Sequence, residues 1–250
     1  SALANQNLSV GNVVALIGSA EGGEPNKALR FGTTTEAIAT LRSGELLTSV
    51  LKAFDPSSQT NGPSRVIAVR ANPATRSALN LKDANANDVI SLVSTDYGSY
   101  TNQIKIKVEP GSSLGKKITT QFGDDVFTQD NVARSSFQIR YSGMQLTATM
   151  SITGSLLTLH APAGSAVATI DLNIYRTVQQ LVDRINSVTG FAAIVLEGNG
   201  ARLAQNGLDY VQAVDVRSSD YVARADLQAV IDWINTNAEG YVNATRAADV

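Results

Sequence analysis

The run Val13-Val14-Ala15-Leu16-Ile17 contains no polar side chain and stops at Gly18-Ser19-Ala20-Glu21-Gly22-Gly23. A continuous apolar run of this length reads as a strand buried on both faces, which demands neighbours and a crossover to a partner strand. The partner stands at Val66-Ile67-Ala68-Val69-Arg70-Ala71. Between the two, Gly22, Gly23 and Pro25 force a turn, and Thr33 with Glu36 has capping-box spacing. A helical stretch follows from Thr35 to Phe54. Ala37, Ile38 and Leu41 share one face of it; after an interruption at Ser43-Gly44, Leu46, Leu47, Val50, Leu51 and Phe54 form a second stripe. Asp55-Pro56 ends the helix. The order strand, helix, strand predicts a parallel pair with a right-handed crossover. Residues 1–12, small and polar, read as a loose arm.

The pattern changes near residue 80. Ile104, Ile106 and Val108 alternate with Lys105, Lys107 and Glu109, a period of two. Phe137, Ile139 and Tyr141 alternate with Gln138 and Arg140. Leu146, Ala148, Met150 and Ile152 do the same, with Gly143-Met144 as the turn before them. Leu157, Leu159 and the stretch Val167 to Leu172 extend the series. Many short alternating strands predict an antiparallel, sandwich- or barrel-like module. One helix is set into it: Thr177 and Gln180 match a capping box, Val178, Leu181, Val182, Ile185 and Val188 share a face, and Gly190 follows. Ala192 to Leu196 returns as a strand, and Tyr210 to Val216 reads as the last one. A final helix is expected from Val222 to Ala238, on the stripe Leu227, Val230, Ile231 and Ile234. The fold class is therefore α+β: an α/β unit of residues 1–80 and 217–250, carrying an inserted antiparallel β-rich domain of residues 81–216.

A search for chemistry returns little. A phosphate loop ends in Gly-Lys-Ser/Thr, whereas this turn has Asn26-Lys27-Ala28 and carries Glu21 and Glu24, which would repel phosphate. His160 is the only histidine, in Leu159-His160-Ala161-Pro162, and reads as a structural residue in a strand. The chain has no cysteine, which removes disulfides and thiolate zinc sites. Asp124-Asp125 and Asp83 with Asp88 match no cation-binding loop and read as turn acids. Lys105, Lys107, Lys116 and Lys117 form a weak basic cluster without interleaved aromatics, unlike a nucleic-acid platform. Net charge is −2, so no global field favours nucleic acid or an anionic membrane. No apolar run approaches the roughly 18–20 residues that span a bilayer. Asn7-Leu8-Ser9 and Asn243-Ala244-Thr245 match glycosylation triplets that need a secretory context. Trp233 reads equally as core or as an interface anchor. No catalytic, cofactor or metal residues are assigned, and no enzymatic activity is expected.

Several segments together resemble the tail sheath protein of contractile-tailed bacteriophages and related contractile injection systems. These are Val14 to Gly23; Thr34-Thr35-Glu36-Ala37 with Leu46 to Phe54; and Val66 to Ala71, similar to a strand ending in Val-x-Val-Arg. Asp96-Tyr97-Gly98-Ser99-Tyr100-Thr101-Asn102-Gln103-Ile104 resembles the opening of the family's inserted β domain. Thr177 to Ile185 with Asn186 and Gly190-Phe191-Ala192-Ala193 resembles its helix-and-strand motif. Order and spacing over residues 10–235 carry the resemblance, not any one motif. It implies a structural subunit that forms a helical lattice of rings around a tail tube and contracts to drive the tube through the host envelope. Implied partners are further sheath subunits, the tail tube protein, and baseplate and tail terminator proteins, without nucleic acid or membrane insertion. The implied location is the virion, after assembly in the host cytoplasm. Family members carry a further C-terminal domain that lines the inner tube and exchanges strands between neighbours. The resemblance thus implies a portion of a longer protein, monomeric by itself. The alternative expectation is a baseplate or adhesin-type binding module, whose sign would be exposed loop aromatics such as Tyr97 and Tyr100.

Overall fold

The structure is a computed structural model and describes residues 12–58, 61–205, 207–238 and 240–247. The expected arm over residues 1–12 and the triplet at Asn7 thus lie almost wholly outside the described residues. Contacts divide the chain into two compact units, Ser1–Ala78 with Val93–Gln103, and Leu79–Leu92 with Ile104–Val250.

The first unit holds β1 (Val13–Gly18), β2 (Ala28–Phe31), α1 (Thr34–Leu41), α2 (Glu45–Phe54) and β3 (Arg65–Arg70). The expected parallel pair is present: β1 runs beside β3 from Val13 opposite Arg65 to Gly18 opposite Arg70. β2 was not foreseen; it is four residues long, contains Arg30, and adds antiparallel to the other side of β3. Thr33 caps α1 by accepting from the Glu36 amide, and the helix stops at Arg42, held in the left-handed region (φ 64°). Leu41, Leu46, Leu47 and Val50 pack with Val66 and Ala68 on one face of the sheet.

The expectation that β1 is buried on both faces is not met. The sheet order is β1-β3-β2, so β1 is an end strand. Partners in the ladder share a face, so Val13, Ala15 and Ile17 stand with Ile67 and Val69 opposite the helices. Ile17 is 77% exposed and Val13 47%. Both helices cover the same side, and among the described residues of this unit Val13, Ala15 and Ile17 stay exposed on the other.

β4 (Ala78–Lys82) and β5 (Asp88–Ser94), which lie in the second unit except for Ala78, Val93 and Ser94, precede a three-stranded meander of β6 (Lys105–Pro110), β7 (Lys116–Phe122) and β8 (Asp125–Val132). Next come β9 (Ser135–Tyr141), β10 (Thr149–Thr153), β11 (Leu156–His160) and β12 (Ala166–Asp171). The chain continues through α3 (Val178–Asn186), β13 (Phe191–Val195), β14 (Val211–Asp215), β15 (Tyr221–Arg224), α4 (Asp226–Asn237) and β16 (Val242–Arg246). The sheets run β12-β11-β10-β14, β13-β9-β15, β6-β7-β8 and β16-β5-β4. The described ladders in this unit are antiparallel. The chain is thus mixed α+β, and among the described residues no sheet closes into the barrel that is one expectation.

Two apolar cores fill this unit. Phe137, Ile139, Met150, Leu157, Leu159, Leu181 and Ile185 belong to one, and Ile90, Leu92, Ile118, Val230, Ile234 and Val242 to the other. The second core changes the expected boundaries. Residues 217–250 were grouped with residues 1–80, yet the stripe of α4 packs with Ile90 and Ile118 of the β-rich unit. Residues 93–103, expected to open the β domain, cluster instead with the first unit. Two local expectations also shift. Val222, expected in the last helix, belongs to β15, which pairs with β9, so α4 starts four residues later. Leu146, expected on β10, is 90% exposed in the loop before it, while Ala148 is buried.

α3 and α4 share a pattern. Val178-Gln179-Gln180-Leu181-Val182-Asp183-Arg184-Ile185-Asn186 aligns with Leu227-Gln228-Ala229-Val230-Ile231-Asp232-Trp233-Ile234-Asn235. Each helix passes through a glycine to an aromatic residue and an end strand: Gly190-Phe191 into β13, and Gly240-Tyr241 into β16.

Candidate functional site

Three motifs of the resemblance, Val14 to Gly23, Val66 to Ala71 and Asp96 to Ile104, converge on one side chain. Arg70 ends β3 and is only 3% exposed. Its Nη1 donates to the carbonyls of Glu21 (2.8 Å), Gly23 (3.1 Å) and Tyr97 (3.4 Å), and its Nε to Asn72 Oδ1 (3.2 Å). No carboxylate lies within ion-pairing distance of it among the described residues. Burial pushes the guanidinium below its ordinary pKa, opposed in part by the charges of Asp96 and Glu21. It remains a cation far above neutral pH and is solvated by carbonyl dipoles in place of water.

The surrounding backbone is shaped to deliver those carbonyls. A Cβ on Gly22 would fall 2.2 Å from the Thr40 carbonyl, and one on Gly98 2.2 Å from the Glu21 carbonyl, where Gly98 also has φ +130°. Only glycine fits at either place. Asn72 pairs both ways with Ala20, accepting its N–H and donating to its carbonyl, each at 2.9 Å. Asp96 accepts from the Gly23 amide (3.3 Å), from its neighbour Tyr97 (2.7 Å), and from the Tyr100 hydroxyl. Burial, then the bond to Asp96, pushes the Tyr100 phenol up to about 12. A cleft of about 600 Å³ opens beside Arg70, lined among others by Glu21, Asn72, Arg76, Ser77 and Asn102.

This geometry decides the reading of the Gly-rich turn. Its amides are already committed: Ala20 to Asn72, Glu21 to the Ser43 carbonyl, Gly22 to the Leu41 carbonyl and Gly23 to Asp96. A phosphate loop must keep such amides free. The turn is therefore a joint, clamped by Arg70, between the end of β1, the start of α2, the end of β3 and the segment 96–103. Each motif was visible separately; an arginine closing an apolar strand was the one sequence sign that they meet.

The remaining candidates disperse. His160 ends β11 opposite Thr149, with Nδ1 buried and unpartnered among the described residues. Asp83 closes the β4–β5 turn by accepting from the Asn85 and Asn87 amides, and the bonds from Asn87 hold its carboxyl below the usual range. Asp88 receives Lys82 (2.7 Å) and Asn80, with the same direction of shift, Lys82 first. Asp124 and Asp125 lie at the β7–β8 turn. Among the described residues no three His, Asp or Glu side chains gather as a metal site would require. Lys105 and Lys107 share an outer sheet face with Lys117, Lys107 is paired with Glu109 (2.8 Å), and Lys116 points to the other face. Trp233 packs half-buried against the α4 core. The Tyr97 ring sits under the Arg76 guanidinium (4.8 Å), and Tyr100 under that of Arg42 (5.2 Å), so neither is an open platform for a glycan. No described helix is long and apolar enough to cross a membrane.

Comparison with known proteins supplies what the site does not. No family model matches. The chain is 26% identical over 235 residues to a provisionally named tail sheath protein of Enterococcus phage phiEF24C, covering 87% of this chain and 40% of that protein. It is 24% identical over 237 residues to the tail sheath protein of Bacillus phage SP01, with the same coverage. To that of Staphylococcus phage Twort it is 26% identical over 224 residues, 85% of this chain and 37% of the relative. The chain thus spans 37–40% of the length of these relatives. Among solved structures, sheath tail proteins from Desulfitobacterium hafniense and Listeria innocua align at 12% and 13% identity. They cover 64% and 91% of this chain, and 34% and 38% of theirs, and at a TM-score of 0.35 they establish no shared architecture. The resemblance read from the motifs is thus to bacteriophage tail sheath proteins, and it holds along most of the chain.

Proposed function

We propose that this chain is the structural part of a contractile phage tail sheath subunit, a piece of the lattice that surrounds a tail tube in the virion. Similarity to three tail sheath proteins over 85–87% of its length carries the proposal. The work in this reading is mechanical. Subunits held in a strained lattice repack into a more stable one, and the free energy comes from exchanged contacts between rigid bodies, so no catalytic group is needed. Partners are further copies of the subunit, the tube protein, and the baseplate and terminator proteins.

Within that role, the first unit lies nearer the lattice and the β-rich unit is peripheral. The open aliphatic face of the β1-β3-β2 sheet supports this assignment, because such a face needs another polypeptide against it. The Arg70 clamp supports the rigid-body part: three chain segments tied through one buried cation move together or not at all. The binding-module alternative loses its main sign with the two tyrosines occupied by arginines.

A chimera tests the reading. The matched segment of the SP01 relative is replaced by this chain, and both proteins are expressed and viewed by electron microscopy. Hollow tubes from both are expected. Tubes from the parent with only dispersed, folded particles from the chimera would overturn the proposal.

A further inference from the structure

End strands of a sheet present unpaired N–H and C=O groups to any passing strand, and stable proteins blunt them. In the second unit, β8, β12, β14 and β15 are end strands, and each carries a register shift against its neighbour. Such shifts twist the edge away from a partner. β13 is different. It pairs with β9 without a shift, from Phe191 opposite Tyr141 to Val195 opposite Phe137, and carries no charge.

Its protection comes from a helix. Ser142 donates to the Gly190 carbonyl and Leu196 to the Ser136 carbonyl, so even-numbered residues of this stretch bond to β9. Phe191, Ala193 and Val195 therefore turn their backbone groups outward. Asn186, the last residue of α3, covers the middle of that row: Oδ1 accepts from Ala193 N–H (2.7 Å) and Nδ2 donates to Ala193 C=O (3.0 Å). One side-chain amide thus takes both bonds that a residue of an added strand would make. The same arrangement recurs in α4. Asn235 Oδ1 accepts from Ala244 N–H (2.7 Å), and Nδ2 donates to Ala244 C=O (2.9 Å). Ala247 donates to Val89 of β5, which turns Ala244 to the outer side of β16.

We infer that Asn186 and Asn235 are edge plugs: side-chain amides that mimic a neighbouring strand and keep β13 and β16 from pairing with the same edge of a second copy of this chain. This goes beyond the sheath reading and does not depend on it. A simple tie between helix and strand would make the same bonds, so the test must separate stability from association.

Asn186→Ala removes the plug and leaves a bare edge. Asn186→Asp keeps the acceptor for Ala193 N–H but sets a charge against its carbonyl; it costs stability yet still guards the edge. Asn235→Ala and Asn235→Asp do the same at β16. Sedimentation velocity over a concentration series reads the result, relative to the unsubstituted chain. The expected outcome is concentration-dependent dimers from the Ala variants and none from the Asp variants. Adding Ala193→Pro to Asn186→Ala removes the N–H that an incoming strand needs, and should return the monomer. Folded Ala variants that sediment like the parent, or Ala and Asp variants that associate alike, would overturn the inference. Hydrogen exchange on the unsubstituted chain provides a second check that no folding failure can spoil. The Ala193 amide should exchange on the order of tenfold more slowly than that of Val195, which faces the same side. Equal rates would sink the plug.

Discussion

The helix–strand units α3–β13 and α4–β16 are built on one pattern and begin in two different ways. In both, a glutamine bonds the aspartate one turn later, Gln179 to Asp183 and Gln228 to Asp232. Both bury an isoleucine completely, Ile185 and Ile234. The aromatic that opens each strand meets another ring: Phe191 with Tyr141 at 4.8 Å, and Tyr241 with Phe122 at 5.3 Å. At their N-termini they part. α3 is capped locally, by the reciprocal bonds of Thr177 and Gln180. α4 has no side-chain cap of its own at Ala225; Asp209 supplies both carboxylate oxygens, to the amides of Asp226 (2.9 Å) and Leu227 (3.1 Å). One helix can therefore start from its own sequence, and the other only once a segment 17 residues away has arrived.

Substitutions can break that comparison, and the largest effects should be the most alike. Ile185→Ala and Ile234→Ala should each cost about 2–5 kcal/mol in urea unfolding. A much smaller loss at Ile234 would mean that α4 is not a full member of its core. Asn186→Asp and Asn235→Asp should come next, at roughly 1–3 kcal/mol each, for one broken bond and one unsatisfied carbonyl. The capping variants separate the helices. Asp209→Ala should cost about 1–2 kcal/mol and Thr177→Ala about 1 kcal/mol. Peptides of the two helices sharpen the contrast: in circular dichroism, Thr177→Ala should lower the helicity of an isolated 175–190 peptide, whereas an isolated 224–240 peptide lacks its cap from the outset. Arg202→Ala should matter least, about 1 kcal/mol: its 3.6 Å pair with Asp232 is half exposed and Arg134 remains at 2.9 Å, so the loss is mainly the bond from its Nε to Asn199 (2.8 Å).

The same contrast explains what was legible. α3 could be read because its cap, stripe and glycine stop lie within fourteen residues, Thr177 to Gly190. Val222 continues the apolar pattern ahead of α4, and what removes it from the helix is its pairing with Gln138 of β9, 84 residues upstream. The parallel pair of β1 and β3 was legible from two apolar runs around a helix; β2, short and broken by Arg30, was not. The unbroken apolar run Val13 to Ile17 suggests that β1 is covered twice, but only the fold shows where the helices go. The Arg70 clamp needed three segments to be placed at once, which no local pattern does.

The uncovered face of the first sheet has a thermodynamic consequence. Among the described residues, Val13, Ala15 and Ile17 lie exposed on it beside half-buried Ile67 and Val69, so solvent water would meet aliphatic surface there. Any polypeptide laid over them must release that water, so docking there would carry a negative heat-capacity change and little enthalpy near room temperature. The contact would tighten as a cold solution is warmed and loosen in urea.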